Sequence, residues 1–304
     1  MHFVDAKGIL SGNSGRWGMN IYRGCTHGCI YCDSRSRCYQ FSHPFEDVEV
    51  KQNAPVLLEQ ALRSKRQKCM IGTGAMSDPY MHCEADLRLT LRCLEIIRDY
   101  GFGVTIQTKS DRILRDLDLL EETHRRAKCV VQMTLTTWDD ALCRILEPRV
   151  CGTGRRVEVL QRLRDRGIPT VVWMTPILPF LNDTEENVTA ILRACADAGV
   201  RGVIDFGMGL TLRDGSREHF YAALDRHFPG LKDRYIRTYG NAYLLPSPNA
   251  ARLQAVFREA CEKAGMLSTP EECFRFLQTL PEPYRQTSLF DCIPDSPAPQ
   301  EPED

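Results

Sequence analysis

The sequence predicts an α/β protein, a parallel sheet curled into a partial barrel, followed by a helical extension. Two periodicities carry the prediction. Apolar runs of strand length at 69–73, 102–108, 129–135, 170–176 and 202–207 alternate with helical periods at 54–64, 88–99, 113–124, 155–166 and 184–198. The strand runs are almost continuously apolar, which is what strands covered on both faces of a parallel sheet require. Length is the third observation, because 304 residues can bury a full core as one large domain or a domain with an appendage.

Taken in order, the first strand-like stretch is Trp17-Gly-Met-Asn-Ile-Tyr-Arg-Gly24, which alternates and ends on a glycine, so the residues after Gly24 lie on a loop leaving a strand. Gly101, Gly167 and Gly199 come directly after three of the helices, where a C-terminal cap sits. Asp183-Thr-Glu-Glu186 reads as a capped helix start. From about Ser216 the alternation stops, leaving helices near 217–227, 249–264 and 270–279. Residues 294–304 are Pro-rich and acidic, a composition that does not order. The expected division is a barrel over 1–215, a helical extension over 216–285 and a tail over 286–304. No internal repeat is present.

Net charge is −1, so no global field draws the protein onto nucleic acid. Arg outnumbers Lys 31 to 8, which suits bidentate phosphate contacts but also arises from a base-composition bias. Fourteen cysteines, with no signal peptide and no long apolar run, lead us to expect a reducing cytoplasm and no membrane span.

Three of those cysteines crowd into eight residues, Cys25-Thr-His-Gly-Cys29-Ile-Tyr-Cys32. The spacing is neither the paired pattern of a zinc ribbon nor the four-cysteine run of a bacterial ferredoxin. Three thiolates on a four-iron cluster leave one iron open to a small molecule. The alternative is a structural zinc loop with Cys38 or His27 as fourth ligand.

In such barrels chemistry sits on the loops after each strand. The second strand leads into Gly72-Thr-Gly74-Ala-Met-Ser77-Asp78-Pro79-Tyr80, the third into Thr108-Lys109-Ser110 and the fourth into Thr134-Leu-Thr136-Thr137 and Leu146-Glu-Pro-Arg149. The fifth leads into Thr175-Pro-Ile-Leu-Pro179 and Asn182-Asp183. Glycines let backbone approach a ligand, and hydroxyls with a lysine can hold a carboxylate and a ribose.

With the aromatic Tyr31 just before the last cysteine, the cysteine loop resembles the signature of the radical S-adenosylmethionine (SAM) enzymes. Asn20-Ile-Tyr-Arg-Gly-Cys25, Ser77-Asp78-Pro79-Tyr80, Thr108-Lys109-Ser110, Arg115-Asp116 and Glu147-Pro148-Arg149 extend the resemblance to the spore photoproduct lyase-like family, over about 17–182. The resemblance implies a (βα)₆ partial barrel and a [4Fe-4S] cluster on Cys25, Cys29 and Cys32. It implies that S-adenosylmethionine chelates the open iron and is split, on reduction, to methionine and a 5′-deoxyadenosyl radical. Backbone near Tyr31 would lie against the adenine, Ser77, Lys109 and Thr134 would touch S-adenosylmethionine, and Gly72 and Gly74 would let backbone approach it. A low-potential electron donor of flavodoxin or ferredoxin type is implied as partner. The lyases carry a hydrogen-donor cysteine two residues before the serine matching Ser77, and here that residue is Ala75. A relative of the lyase, acting on nucleic acid, is therefore expected. The alternatives are a metal-stabilised accessory protein without radical chemistry, or a radical enzyme acting on a peptide or metabolite.

Cys38, Cys83, Cys143 and Cys151 are expected on the catalytic face, as hydrogen donor, redox pair, auxiliary-cluster ligands or ordinary thiols. Tyr22, Tyr39 and Tyr80 are read as radical relays or as packing. Near the C-terminus, Gln286-Thr-Ser-Leu289-Phe290 resembles the pentapeptide by which bacterial DNA-processing proteins dock on the sliding clamp. The same residues could instead pack on this protein's own barrel.

Overall fold

The computed structural model describes residues 1–13 and 16–281. The expected docking peptide at Gln286, Leu289 and Phe290 and the acidic tail lie outside the described residues. The chain opens with five short strands, β1 (His2–Val4), β2 (Leu10–Asn13), β3 (Arg16–Met19), β4 (Tyr22–Arg23) and β5 (Glu49–Lys51). Repeating units come after them: α1 (Ala54–Ser64) and β6 (Met70–Thr73), then α2 (Glu84–Leu87), α3 (Leu89–Asp99) and β7 (Gly103–Thr108). Next come α4 (Leu117–Arg126) and β8 (Cys129–Thr134), α5 (Asp140–Leu146), α6 (Thr153–Asp165) and β9 (Thr170–Trp173), then α7 (Glu185–Asp197) and β10 (Gly202–Ile204). The chain continues through β11 (Gly209–Thr211), α8 (Ser216–His227), α9 (Leu231–Tyr239), β12 (Leu244–Pro246), α10 (Ala250–Lys263) and α11 (Pro270–Gln278).

The main sheet has the order β10-β9-β8-β7-β6-β3-β2, and every pair except β2–β3 is parallel. Each crossover adds the next strand to the same side. With right-handed connections that puts the helices on one face, and the twisted sheet curls into an open barrel. Strand residues alternate accordingly. Ile71, Val104, Ile106, Val131, Val172 and Val203 pack outward with helix residues such as Leu94, Leu120, Leu160 and Ile191. Thr184 starts α7 by accepting a hydrogen bond from the Asn187 amide at 3.2 Å, the cap its sequence foretold.

The residues from 216 onward do not stand apart from the barrel. Leu253, Phe257 and Cys261 of α10 belong to the same core as the strands and α7. Leu267 pairs with the outer edge of β10, its carbonyl accepting from the Val203 amide at 2.8 Å, so that edge is covered. Cys273 and Leu277 of α11 then meet the inward-facing Met70, Val130, Val171 and Ile204 and fill the lower interior. Lys128, just ahead of β8, donates to the Thr279 carbonyl at 2.8 Å and holds the end of α11 in place. Above the plug lies one polar layer, with Gln132 donating to Thr105 and Trp173 donating to Gln132, both at 2.7 Å. Among the described residues no helix is long and apolar enough to cross a membrane.

Candidate active site

Cys25, Cys29 and Cys32 lie on the loop that leaves β4, and that loop is braced by backbone. The Cys25 amide donates to Phe45 O at 3.1 Å, Ile30 to Leu146 O at 2.9 Å and Arg149 to His27 O at 3.2 Å. Glu147-Pro148-Arg149 thus forms a floor beneath the cysteines. Glu147 is buried, accepts from the Tyr31 hydroxyl and pairs with Arg156, which is itself fully buried. Burial alone would raise the Glu147 carboxyl, but Arg156 and Lys109 hold it below the usual carboxylate range. Arg156 also donates to Thr134 O and Cys151 O, each at 3.0 Å, so one guanidinium joins the cysteine floor to the end of β8.

Asp78 does the same for two other strand ends. Its carboxylate accepts from the Thr108 hydroxyl at 2.8 Å, the Lys109 amide at 2.8 Å and the Tyr80 amide at 2.9 Å, and lies 3.4 Å from His27 Nδ1. Burial pulls the His27 imidazole down to about 4 despite that carboxylate, leaving a neutral ring inside the cysteine loop. Burial likewise pushes the Cys25 thiol up to about 12 and raises Cys29, so without metal both stay protonated and loading must displace protons. Burial would lower the Lys109 ammonium, yet the Glu147 carboxylate helps to raise it, and it stays a cation 5.9 Å from the Tyr31 ring centre.

These loops enclose a cavity of about 740 Å³ at the C-terminal ends of the strands. It brings together Cys25, Cys29, Cys32, Tyr31, Gly74, Ser77, Lys109 and Thr134. Gly74 has φ +99°, and a Cβ there would sit 1.9 Å from Gln107 O, so only glycine carries the chain past β7 at this point. Gly72 is not brought to the cavity. It sits within β6, where a Cβ would face Thr105 and the Trp17 carbonyl, because the strand runs one residue further than a glycine-rich turn requires.

Buried polar atoms without partners mark what the cavity wants. Ser77 Oγ, Thr134 Oγ1 and His27 Nε2 are all buried and lack hydrogen bonds within the protein, and all three residues line the cavity. Such orphans call for a ligand. The thiols are also spread more widely than one metal ion takes. A tetrahedral ion with bonds of roughly 2.3 Å holds sulfurs roughly 3.8 Å apart. Among the described residues the one trio of ligand atoms all within 4.8 Å of one another is His2, His43 and Glu49, not the cysteines. A polynuclear cluster suits the loop better than zinc.

Part of the cavity wall was not legible in the sequence. Phe206, Gly207 and the β11–β12 ribbon, with Tyr243, Leu244 and Leu245, close its outer side. Neither strand of the ribbon has a local partner: Gly209 pairs with Pro246 across two intervening helices. The four further thiols do not converge on the cavity. Cys38 is exposed beside Arg213, Cys83 lines a separate cleft, Cys143 is buried under Arg156, and Cys151 faces Lys109 O at 3.3 Å. Tyr22 and Tyr80 belong to a buried network in which Arg115 bridges Glu84 and Asp116, and Tyr80 donates to Asp116 at 2.9 Å. Tyr39 does not line the cavity itself, but donates at 3.1 Å to Asp33, which does. The geometry gives these tyrosines packing and bracing roles.

Residues 19–190 match the family model described as the Radical SAM superfamily. An uncharacterized protein of Mycobacterium tuberculosis is 32% identical over 239 residues, 76% of this chain and 69% of that protein. One from Methanocaldococcus jannaschii is 32% identical over 169 residues, 55% of this chain and 62% of its own length. Among solved structures, a spore photoproduct lyase mutant superposes with a TM-score of 0.64 at 12% identity, covering 88% of this chain and 80% of that one. Another, with bound AdoMet and dinucleoside spore photoproduct, gives 0.60 at 14% identity, over 83% and 75%.

Proposed function

Because the chain belongs to the Radical SAM superfamily, whose cofactors are a [4Fe-4S] cluster and S-adenosylmethionine, we propose that it abstracts hydrogen from a nucleic-acid substrate admitted through the β11–β12 side of the cavity. When bound, the reduced cluster and S-adenosylmethionine supply a 5′-deoxyadenosyl radical. The residues that would hold them are those the cavity brings together. Cys25, Cys29 and Cys32 offer the thiolates, and Ser77 and Thr134 offer hydroxyls whose buried oxygens have no other partner. Lys109 places a cation where a carboxylate can meet it. Asp78 and Arg156 fix the loops that carry these groups, and the apolar walls exclude water from a reactive species.

The observation that carries the substrate class is the rim. Phe206 and Tyr243 line the cavity yet are 56% and 45% exposed, and the Arg213 guanidinium lies 5.2 Å from the Tyr243 ring centre. Two exposed rings, one of them beside an arginine, offer a stacking platform for bases, each stacked base contributing roughly 1–3 kcal/mol. The solved lyase complex holds a dinucleoside photoproduct, in keeping with a substrate of that kind. Docking on a sliding clamp through Gln286, Leu289 and Phe290 belongs to the same proposal.

Ala75 faces the cavity where the lyases are expected to carry their hydrogen donor. The reaction is therefore not photoproduct reversal. Reconstituted protein should bind single-stranded oligonucleotide, lose that binding in Phe206→Ala/Tyr243→Ala, and leave a dinucleoside spore photoproduct unrepaired. Efficient repair by the wild-type chain, or unchanged oligonucleotide binding in the double variant, would overturn the proposal.

A further inference from the structure

We infer that His2, His43 and Glu49 form a second metal site, for a divalent ion of the zinc class, on the strands that lead into the cysteine loop. One ligand atom from each residue lies within 4.8 Å of the other two. Two imidazoles and one carboxylate are a donor set that suits zinc, with a fourth position left to water. The backbone fixes the arrangement. β1 and β5 are parallel neighbours with His2 and Glu49 in direct register, and the turn before β5 delivers His43.

The hydrogen bonds prepare both rings. His2 Nδ1 is 3.1 Å from Asp47 Oδ2, and His43 Nδ1 is 3.0 Å from Pro44 O. A carboxylate or a backbone carbonyl on one ring nitrogen is the arrangement that fixes the tautomer of a metal-binding histidine and frees the other nitrogen. In His43 that other nitrogen, Nε2, is buried and has no hydrogen-bond partner. Its nearest carboxylate oxygen, Glu49 Oε2, is 3.9 Å away. That is too long for a hydrogen bond and close to the roughly 3.4 Å that separates two ligands on one tetrahedral zinc. The rings meet edge to face, 4.8 Å apart at 84°.

A metal here would act at a distance from the chemistry. β5 also pairs with β4, placing Arg23 opposite Glu49, and Phe45, two residues after His43, accepts from the Cys25 amide at 3.1 Å. The ion would pin the base of the cysteine loop from outside.

The test uses the full chain with Cys25, Cys29 and Cys32 replaced by Ala, so that the loop thiols cannot take the ion. Cobalt(II) is the probe. One equivalent should bind with weak visible ligand-field bands and no thiolate charge-transfer band, and zinc should compete for it and raise the melting temperature. His43→Gln on that background should weaken binding more than about 100-fold, since loss of a mere outer partner costs 10–100-fold. Asp47→Asn should weaken it by about that smaller amount. Glu49→Gln serves as the ligand variant if His43→Gln melts at a grossly lower temperature. No stoichiometric binding, a thiolate charge-transfer band, or full binding retained in the ligand variant would overturn the site.

Discussion

At the lower end of the barrel, Met70, Val130, Val171 and Ile204 meet Cys273 and Leu277 of α11, and the polar layer above them, Thr105, Gln132 and Trp173, bonds to itself. At the upper end, Ser77, Thr134 and His27 carry buried polar atoms with no partner, and Glu147 and Arg156 are fully buried charges. One set of strands supports both. The lower end closes on its own residues, whereas the upper end is complete only with a ligand in it. Stability is concentrated where polar groups are satisfied, and function where they are not.

The sharpest way to break this contrast is at the cysteines. Cys29→Ala should abolish iron loading, because losing one of three thiolates leaves an iron without a protein ligand. Cys129→Ala, at the buried start of β8, should keep full iron content. Iron and acid-labile sulfide analysis after anaerobic reconstitution reads both. Next in size is the buried pair under the loop. Arg156→Met strands the Glu147 carboxylate beside Tyr31 and should cost about 3–5 kcal/mol in denaturant unfolding. Adding Glu147→Gln should return part of that loss, since the stranded charge is then gone. A double variant no better than the single would show that packing, not charge, holds the floor.

The lower end gives a comparable stability effect with a different signature. Leu277→Ala removes a buried side chain from the plug and should cost about 2–5 kcal/mol. Its iron content and its S-adenosylmethionine binding, per folded molecule, should be unchanged. Loss of iron in that variant would mean the two ends are not separable.

Much of this architecture is written in local pattern. Residues 54–64 coincide with α1, and the five apolar runs each contain a strand, because period and caps act within a few residues. The strand-end loops were legible for the same reason, and Ser77, Lys109 and Thr134 do share one cavity. What escaped was non-local. The β11–β12 ribbon joins Gly209–Thr211 to Leu244–Pro246, and neither stretch announces the other. The helix expected over 113–124 begins instead with 3₁₀ turns at Asp111–Asp116, where Arg115 and Asp116 reach Glu84 and Tyr80. Within the helical extension expected from 216, α10 and α11 supply core and plug, a long-range packing role that no local pattern announces. Gly72 misled because glycine in a strand interior and glycine at a ligand look alike in sequence.

The most direct test of the central claim is product release at the upper end. Full-length protein should be reconstituted anaerobically, reduced with dithionite and given S-adenosylmethionine, and 5′-deoxyadenosine measured. The protein should be brown and release 5′-deoxyadenosine and methionine in equal amounts, with none from Cys29→Ala. A colourless protein holding one zinc on the cysteine loop, and releasing no 5′-deoxyadenosine, would contradict that claim.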